Sequence, residues 1–308
     1  MQATTDRRQF LTQLGLAAGV AVTASQTASA AEAPVRNGKS YMKLSLAAYS
    51  FNKFLPNRGT AEQIAAAKMK LADFITFCAE QNLDGTELTS YYFPKEVTPE
   101  YLRAIKEQTF RLGLDVSGTA IGNDFCKPAG DEWDKQLAMT REWIDHSATM
   151  GAPVIRIFAG NVPKGDTESA ALERCITGIN KSLEYAAEKG VFLALENHGG
   201  ITATAEQLLK IVKSVQPSPW FGINLDGGNF QGPEPYAELE QIAPYAINAQ
   251  VKVSVAPNKK KEPADLGRVV EILRKANYRG YLVLEYEESD PYGEIPKYLS
   301  DLRKLIQG

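Results

Sequence analysis

The chain has 308 residues, 44% of them hydrophobic and 23% charged, with a net charge of −3. That composition belongs to an ordinary globular protein and excludes a disordered, fibrous or disulfide-stapled one. Three cysteines (Cys78, Cys126, Cys175) form neither a disulfide framework nor a CxxC pair. Two histidines, His146 and His198, are too few for a three-His zinc site, so metal chemistry would lean on carboxylates.

Residues 1–30 read as an export signal. Asp6-Arg7-Arg8-Gln9-Phe10-Leu11 is a twin-arginine pattern, followed by an apolar stretch and then Ala28-Ser29-Ala30, an A-x-A cleavage site. Paired arginines before Phe-Leu favour the bacterial twin-arginine exporter, and hence a periplasmic or otherwise exported protein. Cleavage would remove Asp6, Arg7 and Arg8, leaving 278 residues at a net charge of −4. Residues 31–40 read as a flexible lead-in to one domain over 41–308. No apolar run beyond the signal reaches the ~18 residues that span a bilayer. The mild acidity and the lack of a concentrated basic face argue against nucleic acid as partner.

From residue 44 onward, strand-like and helix-like segments alternate. Apolar runs of strand length fall at 44–52, 84–92, 115–122, 154–160, 191–200, 221–230, 247–255 and 280–289. Stretches of helical period fall between them at 61–82, 99–113, 131–151, 167–190, 204–216, 263–277 and 292–306. Gly113, Gly151 and Gly190 mark helix stops, and Pro99 and Pro263 mark helix starts. Alternation of this kind implies parallel strands joined by right-handed crossovers. Eight units in this length predict an α/β (β/α)8 TIM barrel, with an open doubly wound sheet as the alternative. No glycine-rich phosphate motif follows the first strand.

Barrel chemistry lies at the C-terminal ends of the strands. The fifth to eighth predicted strands end in polar groups: Glu196-Asn197-His198, Asp226-Gly227-Gly228-Asn229, Gln250-Val251-Lys252 and Glu285-Tyr286-Glu287. Because side chains alternate along a strand, Glu196 shares a face with His198, Gln250 with Lys252, and Glu285 with Glu287. Leu195, Leu225, Val251 and Leu284 take the other face. Glu196, Asp226, Gln250 and Glu285 thus point together into the barrel mouth. Carboxylates converging there must either rise in pKa or be neutralised by a cation. An oxygen-rich set suits a hard divalent ion, Mn²⁺ or Mg²⁺ ahead of Zn²⁺ or Co²⁺.

These segments resemble the xylose isomerase-like TIM-barrel family of sugar isomerases and epimerases. Asp84-Gly85-Thr86-Glu87-Leu88 and Arg156-Ile157-Phe158-Ala159-Gly160 also look like family segments. The resemblance implies one divalent metal held by a Glu, an Asp, a His and a Glu. Carried over, these are Glu196, Asp226 and Glu285, with Gln250 where His is usual. It also implies a substrate-binding His three residues after the strand-6 Asp, where this chain has Asn229. Glu196 and Glu285 become the two carboxylates that remove and return a proton next to a carbonyl.

The first expectation is therefore an exported, metal-dependent sugar isomerase or epimerase acting on a small carbohydrate. A lyase or hydratase on keto-sugars or 3-keto-glycosides is the second. A non-catalytic carbohydrate-binding barrel, suggested by the missing His, is the third. His198 is expected to touch substrate or act as a base, and His146 to be structural. Lys252 would polarise a carbonyl or pair with Glu287. Glu87 and Arg156 would form a buried pair or else bind hydroxyls. Tyr49, Phe51, Tyr91, Tyr92, Phe125 and Trp133 would cover a sugar face or simply pack. Lys259-Lys260-Lys261 reads as a solvated loop, and the cysteines as packing residues. The sequence also admits a homo-oligomer.

Overall fold

The computed structural model describes residues 33–307, so the export signal lies outside the described residues. Eight parallel strands close into a barrel. They are β1 (Tyr41–Ala47), β2 (Gly85–Thr89), β3 (Asp115–Ala120), β4 (Val154–Ile157), β5 (Phe192–Glu196), β6 (Phe221–Asp226), β7 (Ala246–Lys252) and β10 (Arg279–Glu285). Around the ring they run β1-β10-β7-β6-β5-β4-β3-β2, the order that successive crossovers produce. Two short strands, β8 (Ser254–Val255) and β9 (Glu262–Pro263), form an antiparallel hairpin after β7.

The helices are α1 (Ala61–Ala66), α2 (Leu71–Glu80), α3 (Pro99–Arg111), α4 (Asp131–Met150), α5 (Glu168–Lys189), α6 (Ala205–Ser214), α7 (Pro235–Ile242), α8 (Leu266–Lys275) and α9 (Pro291–Gln307). α4 and α5 stop where expected, at Gly151 (φ 87°) and Gly190 (φ 70°), whose left-handed backbone any other residue would strain to adopt. The helix expected over 61–82 is two. Ala67 turns extended, and the Asp73 carboxylate restarts the chain by accepting from Lys70 N–H at 2.9 Å. Pro263 begins no helix: it lies in β9, and α8 is capped by Asp265, which accepts from Arg268 N–H at 2.9 Å. α7 was not anticipated.

The alternation along the strands sorts side chains into two layers. Leu195, Leu225, Val251 and Leu284 are fully buried between barrel and helices, as expected. The segment before β1 carries no regular structure, yet it is tethered. Arg36 Nη1 donates to Ala276 O at 2.8 Å, and Ser40 Oγ donates to Tyr278 O at 2.7 Å. No helix among the described residues is long and apolar enough to cross a membrane.

Candidate active site

The inward residues of β5, β6, β7 and β10 do not meet at one height. Each strand is staggered against the next: across the ladders Glu196 pairs in register with Asn224, Asp226 with Gln250, and Lys252 with Glu285. This stagger is what closing a tilted barrel requires. It builds two stacked polar layers.

The lower layer is an amide network. Gln250 Nε2 donates to Glu87 Oε1 at 2.6 Å, and Asn248 Nδ2 donates to Glu87 Oε2 at 3.2 Å. Asn224 Nδ2 donates to Gln250 Oε1 at 2.6 Å, and Asn248 Nδ2 also donates to Asn224 Oδ1 at 2.8 Å. Two amides on β7 thus tie down one carboxylate from β2, and Asn224 on β6 links the two. Asn224 and Asn248 were missed in the sequence. They sit two residues before Asp226 and Gln250, and the same period-two rule would have found them.

The upper layer holds the charges. Arg156 Nε approaches Glu196 Oε2 to 2.8 Å, and Asn229 Nδ2 donates to Glu196 Oε1 at 2.9 Å. Arg156 therefore pairs with Glu196 and not with Glu87, correcting the expected pairing. The reason is positional: Glu87 is already engaged by two amides one layer down, while Glu196 lies on the strand adjacent to Arg156. Lys252 Nζ lies 3.3 Å from Asp226 Oδ2, 3.5 Å from Glu285 Oε2 and 3.1 Å from Glu287 Oε1. It also donates to Asn229 Oδ1 at 3.1 Å. The expected Lys252–Glu287 pair forms, within a larger cluster. Asn197 holds β6 in place: Asp226 N–H donates to its Oδ1 at 2.8 Å, and its Nδ2 donates to Asp226 O at 2.9 Å. Asp226 Oδ1 accepts from Gly228 N–H, while Oδ2 is buried with no hydrogen bond, its charge met by the nearby ammonium.

Burial dominates the electrostatics. It pushes Glu87, Glu196, Asp226 and Glu285 each up to about 7. For Glu196 the Arg156 guanidinium opposes the rise, and for Asp226 and Glu285 the Lys252 ammonium does. Burial alone would lower Lys252, but Asp226, Glu285, Glu287 and Glu196 outweigh it and hold the ammonium well above its ordinary range. Burial, with Arg156 and Lys252 nearby, lowers His198 to about 4. His198 is therefore a neutral imidazole at neutral pH and a weaker base than the carboxylates. Its ring lies 4.0 Å from that of Phe158, whose face also carries the Arg156 guanidinium at 3.8 Å.

The remaining candidates divide. Phe51, Tyr92, Phe125 and Trp133 are buried packing residues, and Trp133 Nε1 donates to Phe125 O at 3.1 Å. Tyr49 and Tyr91 are half-buried just beyond the ends of β1 and β2, with their ring centroids 6.4 Å apart. His146 packs edge-on against Trp143. Cys78, Cys126 and Cys175 are buried and free. A concavity of about 760 Å³ elsewhere is lined by Gly59, Thr60, Lys70 and Pro94 and by none of Glu87, Glu196, Asp226 and Glu285; the chemistry of the side chains, not the size of a hollow, locates the site.

The divalent ion implied by the resemblance does not fit this arrangement. Among the described residues, no three His, Cys, Asp or Glu side chains converge on one metal point. Gln250 has turned its amide oxygen to Asn224 and its nitrogen to Glu87. Both oxygens of Glu196 are engaged by Arg156 and Asn229. Between Asp226 and Glu285 stands an ammonium.

A model of the xylose isomerase-like TIM barrel matches residues 72–306. No protein of curated function matches the sequence. Among solved structures, a D-tagatose 3-epimerase-like protein superposes with a TM-score of 0.68 at 16% identity, covering 86% of this chain and 98% of its own. A 3-keto-D-glucoside 4-epimerase from E. coli gives 0.66 at 16% identity, covering 85% and 99%. A probable 3-DHS dehydratase from Bacillus anthracis gives 0.61 at 15% identity, covering 87% and 99%. At these identities the likeness is one of fold.

Proposed function

The chain belongs to the xylose isomerase-like TIM-barrel family, and on that premise we propose that it is a sugar isomerase or epimerase, exported from the cytoplasm, that moves a proton next to a carbonyl of a small carbohydrate. The observation that carries this reading is the pair Glu196 and Glu285. Both are buried, both are poised at about 7, and they lie on β5 and β10, with β6 and β7 between them around the ring. A general base works best with a pKa near the operating pH. Two such carboxyls on different sides of one mouth can serve the two faces of a planar enediol. One takes the C–H proton and the other returns one. Asn229 and Lys252 connect the two, Asn229 to Glu196 and Lys252 to Asn229 and Glu285, and with His198 would hold hydroxyl and carbonyl oxygens.

The substrate is proposed to be uncharged. The mouth sets Glu196, Asp226, Glu285 and Glu287 against two cations, Arg156 and Lys252, so a phosphate would meet an excess of carboxylate.

Glu287 favours a second reading, elimination. It stands at the rim of the mouth, 3.1 Å from Lys252, with 40% of its side chain exposed. A third carboxyl there would protonate a leaving group on the adjacent carbon, turning the same enediolate into a lyase intermediate.

One experiment tests both. Free ketoses and 3-keto-glycosides are incubated with the enzyme in D₂O and followed by NMR. Deuterium entering next to the carbonyl with no substituent lost is the expected result, and release of an aglycone or water establishes elimination instead. Glu196→Gln or Glu285→Gln should slow exchange by at least about 100-fold, the usual share of a general base. Full exchange in both variants would refute the site assignment. No exchange with any sugar would leave a binding barrel.

A further inference from the structure

We infer that the ammonium of Lys252 stands where the resemblance places a divalent cation, so that this chain supplies its own electrophile and binds no metal there. The inference rests on the carbonyl chemistry proposed above for its catalytic part, but its geometric part stands alone.

Four contacts define the position. Nζ faces Asp226 Oδ2, Glu285 Oε2, Glu287 Oε1 and Asn229 Oδ1, all within 3.1–3.5 Å. These atoms come from β6, β10 and the loops beyond them, so the cation, carried on β7, joins three of the four strands that a metal would join. Oxygen ligands bind Mg²⁺-class ions at about 2.1 Å. An ion that close to Asp226 and Glu285 would lie against the ammonium, where like charges repel strongly at low dielectric.

The neighbouring substitutions agree with this. Imidazole at position 250 could ligate a metal through a ring nitrogen. Gln250 instead spends its oxygen on Asn224 and its nitrogen on Glu87. Turning it toward an ion would strip Glu87 of its 2.6 Å donor. Asn229 bridges Glu196 and Lys252, accepting from the ammonium and donating to the carboxylate. Both residues therefore support a lysine-centred site, and neither is left as a vacant ligand.

The chemistry balances without a co-reactant. A carboxylate takes the proton from the carbon next to the carbonyl. The C–H electron pair becomes the new C–C π bond, and the carbonyl π pair moves onto oxygen. An N–H of Lys252 hydrogen-bonds that oxygen as its charge develops, which is the stabilisation a Lewis acid would otherwise supply. Return of a proton to the opposite face restores the carbonyl.

The test starts with the intact protein, purified without chelator. Elemental analysis should find far less than one divalent ion per chain, and titration with Mn²⁺ followed by EPR should show no saturable site. Close to one ion per chain, or Mn²⁺ saturating at one, overturns the inference. Lys252→Met removes the ammonium and keeps the side-chain volume; it should bind Mn²⁺ at least about tenfold more tightly than the natural protein, a change of the size that neighbours of a metal centre produce. A folded Lys252→Met protein with unchanged Mn²⁺ binding also overturns it. If that variant does not fold, the measurement on the natural protein decides. The D₂O exchange assay, repeated in EDTA, keeps the two readings apart. A metal-free protein that exchanges supports both. A metal-free protein that exchanges no sugar sinks the isomerase reading and leaves the lysine site. A protein with a bound ion that exchanges sinks the lysine site alone.

Discussion

Replacing Arg156 by Met tests whether the upper charge layer is held together as described. Met keeps an apolar stem against Phe158, whose ring the guanidinium now covers at 3.8 Å. Two things are lost. The first is the partner of Glu196, in a pair whose side chains are 6% and 3% exposed and 2.8 Å apart. Orphaning one member of such a pair costs about 3–5 kcal/mol, because a buried charge is left unpaired. The second is the 2.8 Å bond from Arg156 Nη1 to Ile121 O, worth about 1–3 kcal/mol when a buried acceptor is stranded. Only the first part depends on pH. Burial already raises Glu196 to about 7, and without the guanidinium it rises further. An acid whose folded pKa lies above its unfolded value stabilises the fold at low pH and loses that contribution as pH rises through the folded value. Urea unfolding should therefore show a loss of roughly 4–8 kcal/mol at pH 8, both parts together. At pH 5.5 Glu196 is protonated, and the loss should shrink towards the carbonyl part alone, about 1–3 kcal/mol. Adding Glu196→Gln should recover most of the difference at pH 8. Equal losses at both pH values, with no recovery in the double variant, would show that the Arg156–Glu196 pair does not govern this layer.

Three further perturbations reach other parts of the structure. Burial puts Glu87 at about 7 against an ordinary 4.5, so its contribution to stability is full below pH 4.5 and is lost on the way to pH 8. Glu87→Gln should remove that slope, and the variant's stability relative to the natural protein should improve by roughly 3 kcal/mol between pH 4 and pH 8 in urea titrations; parallel curves would mean that Glu87 does not titrate there. Gly178 on α5 sits where an added Cβ would come within 2.8 Å of the Phe125 ring. Gly178→Ala should cost about 1–3 kcal/mol by overpacking despite its better helix propensity, and a stabilised variant would show that Phe125 swings aside freely. Replacing Arg7 and Arg8 together by Lys should leave uncleaved precursor in the cytoplasm on cell fractionation, and normal delivery of the double variant would remove the case for the twin-arginine route.

What the sequence disclosed was governed by local rules, and what it hid was governed by register. Alternation along β5 and β10 put Glu196, His198, Glu285 and Glu287 on the inner face without any knowledge of neighbouring strands. The barrel itself followed from eight repeats of one unit. The pairings did not. Whether Arg156 meets Glu87 or Glu196 depends on how β2, β4 and β5 are staggered, and no single strand records that offset. The lower layer was invisible for a related reason. Asn224 and Asn248 look like ordinary strand polar residues until Glu87 is placed beside them from 137 and 161 positions away in sequence. The break at 67–70 and the displaced start of α8 are smaller misses of one kind: a side-chain carboxylate, Asp73 accepting from Lys70 N–H or Asp265 accepting from Arg268 N–H, overrode a continuous helical period.

The scarcity of histidine and the abundance of buried amides have a common physical cause. Four carboxylates, Glu87, Glu196, Asp226 and Glu285, are buried inside one barrel with two cations. Imidazoles would add acceptors or further titrating groups to that set. Amides add donors with no charge and no titration. Gln250 and Asn248 give both oxygens of Glu87 a donor, and Asn229 gives Glu196 one while accepting from Lys252. An imidazole at 250 in its neutral form has a single N–H. It would serve Glu87 only by leaving the Asn224 amide without its acceptor or by turning its lone pair away from the mouth. The amide at 250 and the ammonium at 252 are thus parts of one solution: the lower layer needs a residue that donates and accepts at once without titrating, and the cation that neutralises the upper layer is carried on the same strand, two residues further along and on the same face. A chain that changed Gln250 alone to His would disturb Glu87 while Lys252 still stood between Asp226 and Glu285, so His at 250 is not expected to create a metal site unless Lys252 is exchanged as well.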